Sequence, residues 1–242
     1  MLESYEELGS QMKSFVIGLS QIPTSAASAH KVINTLKSYD LDAQLWEGTM
    51  GHEAEEIFSA EGRTLYPVTI KNTPHTLRET AKQTRLGVMG CFHSHYRLWH
   101  HCANLQESIL IFEDDVIFER GFYPVEWDDV LLLATGKSVY KNEFYHKRLF
   151  HPEGEPAAGK FKGKVMPGAV GYGLTPTGAE KLVKKYKHYY LPADNCMNHS
   201  TVRLNCHTHL MGRAAVKVDS KKSLTKTNAW TKMQKSSNFR IG

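Results

Sequence analysis

The sequence has little cysteine, no long apolar run and no glycine-rich phosphate loop. Its four cysteines, Cys91, Cys102, Cys196 and Cys206, are scattered along 242 residues. That is too sparse for a disulfide framework, and no closed Cys/His zinc set stands at the usual spacing. Free thiols are expected. No apolar run approaches the roughly 20 residues of a membrane-spanning helix, so no transmembrane segment is expected. Residues 1–10 are acidic and lack the apolar core of a secretory leader, which predicts a cytoplasmic protein. Without a P-loop, kinase-type phosphate cradling is unsupported. No internal repeat is evident, and no recognised motif points to specific nucleic-acid binding.

What is present fits one soluble α/β domain: 41% hydrophobic and 23% charged residues. The net charge of +5 is unevenly spread. Acids crowd residues 3–7 and 113–129, while the tail beyond Lys217 is basic with Asp219 as its single acid. Such a tail suits phosphates or anionic lipid headgroups, giving a peripheral membrane contact; the plainer reading is a solvated chain end. Residues 1–12 are read as a flexible N-terminal segment, 13–225 as the folded domain and 226–242 as the basic tail.

The chain is organised around residues 108–118. Ile109 to Phe112 run into Glu113, Asp114 and Asp115, and apolar residues resume at Val116 to Phe118. The spacing predicts one strand buried on both faces, as in a parallel sheet. Three adjacent carboxylates repel one another and resist desolvation, and a hard divalent cation with oxygen ligands would offset both costs. Strand alternation puts Glu113 and Asp115 on one face and Asp114 on the other. A solvated acidic turn is the alternative.

Around this stretch, residues 14–19 predict a first strand. A helix capped by Thr24 or Ser25 follows to about Tyr39, buried through Ala29, Val32, Ile33 and Leu36. A second strand over 43–46 completes a βαβ unit of the kind found in open parallel sheets. Residues 53–60 predict a short helix and 87–105 a long one, with Met89, Phe92, Tyr96, Trp99 and Ala103 recurring at three and four. Residues 129–134 predict another buried strand, and 141–164 a mobile loop. Residues 165–175 predict an extended segment in which Gly168, Gly171 and Gly173 allow close approach of a ligand or another backbone. Thr175 and Pro176 open a helix to about His188. Residues 206–209 and 214–218 predict two more extended pieces.

Order and spacing carry a resemblance. Gly90-Cys91, Ser94-His95, Leu98-Trp99, Glu113-Asp114-Asp115-Val116, Tyr172 with Gly178-Ala179 and Leu182, and Pro192 with Asp194 follow one another as in glycosyltransferase family 25. That group includes bacterial lipopolysaccharide β-galactosyltransferases and collagen galactosyltransferase-like domains. The sequence departs from the family at Ser20-Gln21, where Asp-Arg is usual. The resemblance implies a GT-A type fold, a Rossmann-like mixed sheet flanked by helices. It also implies manganese (or magnesium), a UDP-sugar donor and inverting transfer of galactose or glucose to a glycan or lipid-linked saccharide. The acidic stretch then acts as a DxD-like motif: Asp115 on the metal, Glu113 on metal or a ribose hydroxyl, and Asp114 as a catalytic candidate or as the residue holding the loop. Gly171 and Tyr172 are assigned to the donor site. Asp194 is the candidate base for the acceptor hydroxyl. His207 and His209, two apart on one strand face, are candidates for a further metal ligand. The competing reading is a degenerate module that binds nucleotide or glycan without turnover.

Overall fold

The structure is a computed structural model that describes residues 12–65, 85–135, 155–161 and 165–215. The expected N-terminal segment up to residue 11, most of the 141–164 loop and the basic tail lie outside the described residues.

Strand β1 (Lys13–Gly18) leads into α1 (Pro23–Lys37), and β2 (Asp42–Glu47) returns parallel to β1. The expected βαβ opening is therefore present, and α1 buries Ala29, Val32, Ile33 and Leu36. Its start differs from the expected Thr24 or Ser25 cap. The helix begins at Pro23, whose fixed φ and missing N–H suit the first turn, and Ile22 stands at the cap without a side-chain bond. Ser25 lies inside the first turn, where its hydroxyl is used elsewhere.

Next come α2 (Gly51–Ala60), β3 (Thr64–Leu65), α3 (Arg85–Leu105) and β4 (Ile109–Glu113). The single strand expected over 108–118 is in fact two. Asp114 and Asp115 form a turn, and β5 (Val116–Phe118) leaves the line of β4 to pair with β11 (Gly212–Ala214). Aspartate disfavours strand interiors and readily closes turns, which accounts for the break. Ala215 N–H donates to the Asp115 carbonyl at 2.7 Å and anchors the turn from the β11 side.

The remaining elements are β6 (Val130–Thr135), β7 (Ala158–Lys160), β8 (Gly171–Leu174), α4 (Pro176–Lys185), β9 (Tyr189–Tyr190), α5 (Ala193–Cys196) and β10 (Leu204–His207). The extended segment expected over 165–175 narrows to β8 plus an isolated bridge at Val165. Thr175 caps α4 as expected, its Oγ1 accepting from Gly178 N at 3.2 Å. The helix stops at Lys185, short of His188, with Tyr186 at its C-cap.

Among the described residues the main sheet has nine strands, in the order β2-β1-β4-β8-β6-β10-β7, with β11 bridging β6 and β5. Strands β1, β2 and β4 are mutually parallel, whereas β8 runs antiparallel between β4 and β6. The fold is thus a mixed α/β sheet flanked by helices. Strand β4 is buried on both faces. Ile109 and Ile111 join the core under α3 and α4, while Leu110 and Phe112 join the core under α1. Each such side chain contributes about 1.5–3 kcal/mol on burial. This double burial fixes β4 at the sheet centre and presents its carboxyl end as the rim where the acids sit.

Candidate functional site

In open α/β sheets ligands bind beyond the carboxyl ends of parallel strands. Here Glu113 is the last residue of β4, held there by its N–H donating to Val170 O at 2.9 Å. Alternation carries Glu113 to the α3 face and Asp114 to the α1 face, as expected. Ser25 Oγ donates to Asp114 Oδ2 and accepts from Leu19 N–H at 3.0 Å. Asp114 is therefore strapped to the first turn of α1 and to the loop after β1. Sequence reasoning passed over Ser25 as an ordinary cap candidate, because nothing local says that its partner is 89 residues away.

Helix α3 supplies the other wall. Cys91, His95 and Trp99 recur every four residues and so share one helix face. Cys91 Sγ lies 3.9 Å from Glu113 Oε1, and His95 Nε2 lies 3.4 Å from the same oxygen. The opposite ring nitrogen, His95 Nδ1, is 2.9 Å from the Tyr172 hydroxyl, which also accepts from Trp99 Nε1 at 2.9 Å. Ser94 Oγ donates to Gly90 O and accepts from Thr49 N–H, tying α3 to the loop before α2. Gly90 lets this happen, since a Cβ there would stand 2.6 Å from Thr49 O.

Asp194, on the short α5, completes the rim. Its Oδ1 accepts from Asn195 N at 2.9 Å and Asn195 Nδ2 at 3.1 Å. Burial, and then the Glu113 carboxylate, push the Asp194 carboxyl up to about 6. Burial also holds the Cys91 thiol well above its usual range, with Glu113, Asp194 and Asp115 adding to the effect. The four groups therefore feel one another across the site, although Asp194 is 79 or more residues from the rest in sequence.

Other candidates sit apart from this rim. Gly171 is enclosed between β4 and β6, where an added Cβ would meet Phe112 at 2.8 Å. Tyr172 is fully buried beneath His95. His207 ends β10 and is also fully buried, with Nε2 on Tyr123 O at 2.8 Å and Nδ1 accepting from His209 N–H at 2.9 Å. The two histidines do not share a strand face, because that N–H to ring contact folds the chain into a turn and puts His209 outside β10. All four cysteines are free thiols.

Which groups fit a metal follows from the donors. Among the described residues Cys91, His95 and Glu113 have ligand atoms within 4.8 Å of one another. Their mixed sulfur, nitrogen and oxygen donors suit a soft ion better than a hard one. A hard divalent cation would instead draw on carboxylate oxygen, and the upward push that Glu113 exerts on Asp194 is a crowding of negative charge of the kind such a cation relieves.

The order of these groups along the chain can be compared with known proteins. The family model described as "Glycosyltransferase family 25 (LPS biosynthesis protein)" matches residues 12–197. The chain belongs to glycosyltransferase family 25. A rat protein named "Probable inactive glycosyltransferase 25 family member 3" is 31% identical over 171 residues, covering 63% of this chain and 28% of the rat protein. The human "Inactive glycosyltransferase 25 family member 3" is 30% identical over 159 residues, 58% of this chain and 25% of its own length. A "Glycosyltransferase 25 family member" of Drosophila pseudoobscura pseudoobscura is 31% identical over 105 residues, 40% of this chain and 16% of the fly protein. The chain thus spans little more than a quarter of these relatives at most. The family match covers α1, α3, β4, β8 and α5, the elements that build the acidic rim. Among the described residues no helix is long and apolar enough to cross a membrane.

Proposed function

We propose that this family 25 chain is a metal-dependent, inverting glycosyltransferase that moves a hexose, galactose or glucose, from a UDP-sugar to a hydroxyl of a glycan or lipid-linked saccharide. The observation that carries the reading is Asp194 facing Glu113 across the rim, its carboxyl raised to about 6. A carboxylate at that value is ionised at neutral pH yet basic enough to accept a hydroxyl proton. Glu113 and Asp115 are the residues that would hold manganese or magnesium. The ion, when bound, supplies positive charge against the diphosphate leaving group. Asp194 takes the acceptor proton as the acceptor oxygen bonds to the sugar's anomeric carbon, and the electrons of the breaking carbon–oxygen bond leave with UDP. Asp114 acts from behind, keeping the turn closed through Ser25. Gly171 and Tyr172 serve the donor site from beneath, as packing and support. His209 remains the candidate for a further ligand, since His207 has both ring nitrogens engaged.

A second reading rests on the rat and human relatives, whose names call them inactive. On that reading the chain binds a nucleotide or glycan without turnover. Thermal melts separate the two when combined with a donor panel assayed for hydrolysis. UDP should raise the melting temperature only with manganese present, because a ligand of the native state stabilises it. Asp115→Asn should abolish both the shift and hydrolysis. A manganese-dependent shift with no hydrolysis of any UDP-hexose identifies the binding module. No shift with any nucleoside diphosphate sinks the transferase reading and nucleotide binding alike, and leaves only a glycan-binding module.

A further inference from the structure

Three buried groups below the acidic rim form a hydrogen-bonded chain that can be polarised in only one direction. Trp99 and Tyr172 are fully buried and His95 is 1% exposed, so water does not supply alternative partners. Trp99 Nε1 can only donate, which makes the Tyr172 oxygen its acceptor at 2.9 Å. The single Tyr172 hydroxyl hydrogen then needs an acceptor of its own. His95 Nδ1, at 2.9 Å, is that acceptor. Burial pushes the Tyr172 hydroxyl well above its usual range, so the hydrogen stays on it. A neutral ring that accepts at Nδ1 carries its proton at Nε2. Nε2 lies 3.4 Å from Glu113 Oε1. The reverse polarity would leave the tyrosine hydrogen without an acceptor and turn a nitrogen lone pair towards a carboxylate oxygen. Buried polar groups are nearly always paired, so that arrangement is disfavoured.

We infer that Trp99, Tyr172 and His95 are positioning residues: the chain locks His95 as its Nε2–H tautomer, pins Glu113 through Oε1, and leaves Oε2 to face the ligand. The hydrogen bonds to this carboxylate from the described residues, those of His95 and of Cys91, both fall on Oε1. This assigns a purpose to the four-residue recurrence of His95 and Trp99 on α3 and to the placing of Tyr172 in the strand next to β4. It also gives the Cys91–His95–Glu113 cluster a role as support, since a metal on His95 would need Nε2 without its proton. The consequence for ligand binding rests on the proposed function; the tautomer does not.

The test uses the full chain labelled with 15N-histidine, in EDTA, with the His95 signals assigned by their loss in His95→Gln. The long-range 1H–15N spectrum at pH 7 should show His95 protonated at Nε2 and bare at Nδ1. Tyr172→Phe should abolish that preference. A wild-type spectrum with Nδ1 protonated overturns the inference. Affinity for UDP with manganese is then measured in variants whose melts and far-ultraviolet spectra show a folded chain. His95→Phe and Tyr172→Phe should weaken it by about 10–100-fold, the usual effect of losing the partner of a metal ligand. His95→Gln, whose amide N–H can reach the same carboxylate, should recover most of the loss. Wild-type affinity in folded His95→Phe overturns the positioning role. If the wild-type chain binds no UDP with manganese, the proposed function falls, while the spectrum still decides whether the chain of hydrogen bonds is polarised as argued.

Discussion

Replacing Asp194 with asparagine should make the protein more stable at neutral pH and leave it unchanged in acid. The carboxyl is raised from 3.8 to about 6 by burial and by Glu113. In the unfolded chain the same group ionises at about pH 4. Between those values the unfolded state releases a proton that the folded state retains, so stability falls as pH rises from about 4 through 6 and then levels off. A shift of about two units corresponds to about 3 kcal/mol. Asp194 keeps some exposure, so solvent screening brings the expected effect to about 1.5–3 kcal/mol. For a chain of this size that is on the order of 3–6 °C in melting temperature. The substituted asparagine cannot ionise, and it retains an oxygen for the Asn195 contacts. The assay is a series of melts of wild type and Asp194→Asn in EDTA from pH 4 to 7.5. The two curves should coincide near pH 4 and separate above it, with the variant higher. Parallel curves would refute the claim that this carboxylate is buried beside Glu113. In the proposed reaction the same group must be ionised, so hydrolysis or transfer should rise with pH through about 6 in the wild type and lose that limb in the variant.

Two further substitutions probe the frame. Gly90→Ala places a Cβ 2.6 Å from a backbone carbonyl that cannot move away cheaply, so it should destabilise by about 1–3 kcal/mol and weaken UDP binding through displacement of α3, read by chemical denaturation and melts. Asp129 is buried and accepts from Lys181 Nζ at 2.7 and 2.8 Å and from Arg203 N–H at 2.7 Å. By the same denaturation measurement, Asp129→Ala should therefore cost about 2–3 kcal/mol, whereas Lys181→Ala, whose charge is partly exposed, should cost under about 1 kcal/mol.

Much of the fold was legible in local pattern. The apolar runs of β1, β4 and β6, the helical recurrence of α1 and α3, and the Thr175-Pro176 helix start all follow from side-chain periodicity and capping chemistry, which operate over a few residues. The order of Gly90-Cys91, Glu113-Asp114-Asp115, Gly178-Ala179 and Asp194 was enough to indicate the family. The misreadings were also local. A run of apolar residues on both sides of Asp114-Asp115 looks continuous, because the strand that draws β5 out of line is β11, far along the chain. His207 and His209 look like strand neighbours because spacing cannot register that the His209 N–H closes onto the His207 ring.

The sequence by itself determined that three carboxylates directly follow an apolar run suited to a doubly buried strand, because burial on both faces requires such a run and excludes ionised groups from it. Only the tertiary structure decided which groups surround them. Asp114 is bound by Ser25 on α1, Glu113 is held by His95 and faced by Cys91 on α3, and Asp194 is brought beside them by α5. Those partners come from separate elements packed on opposite faces of the sheet. Their electrostatic and hydrogen-bonding effects act over a few ångströms in space, at any distance along the chain.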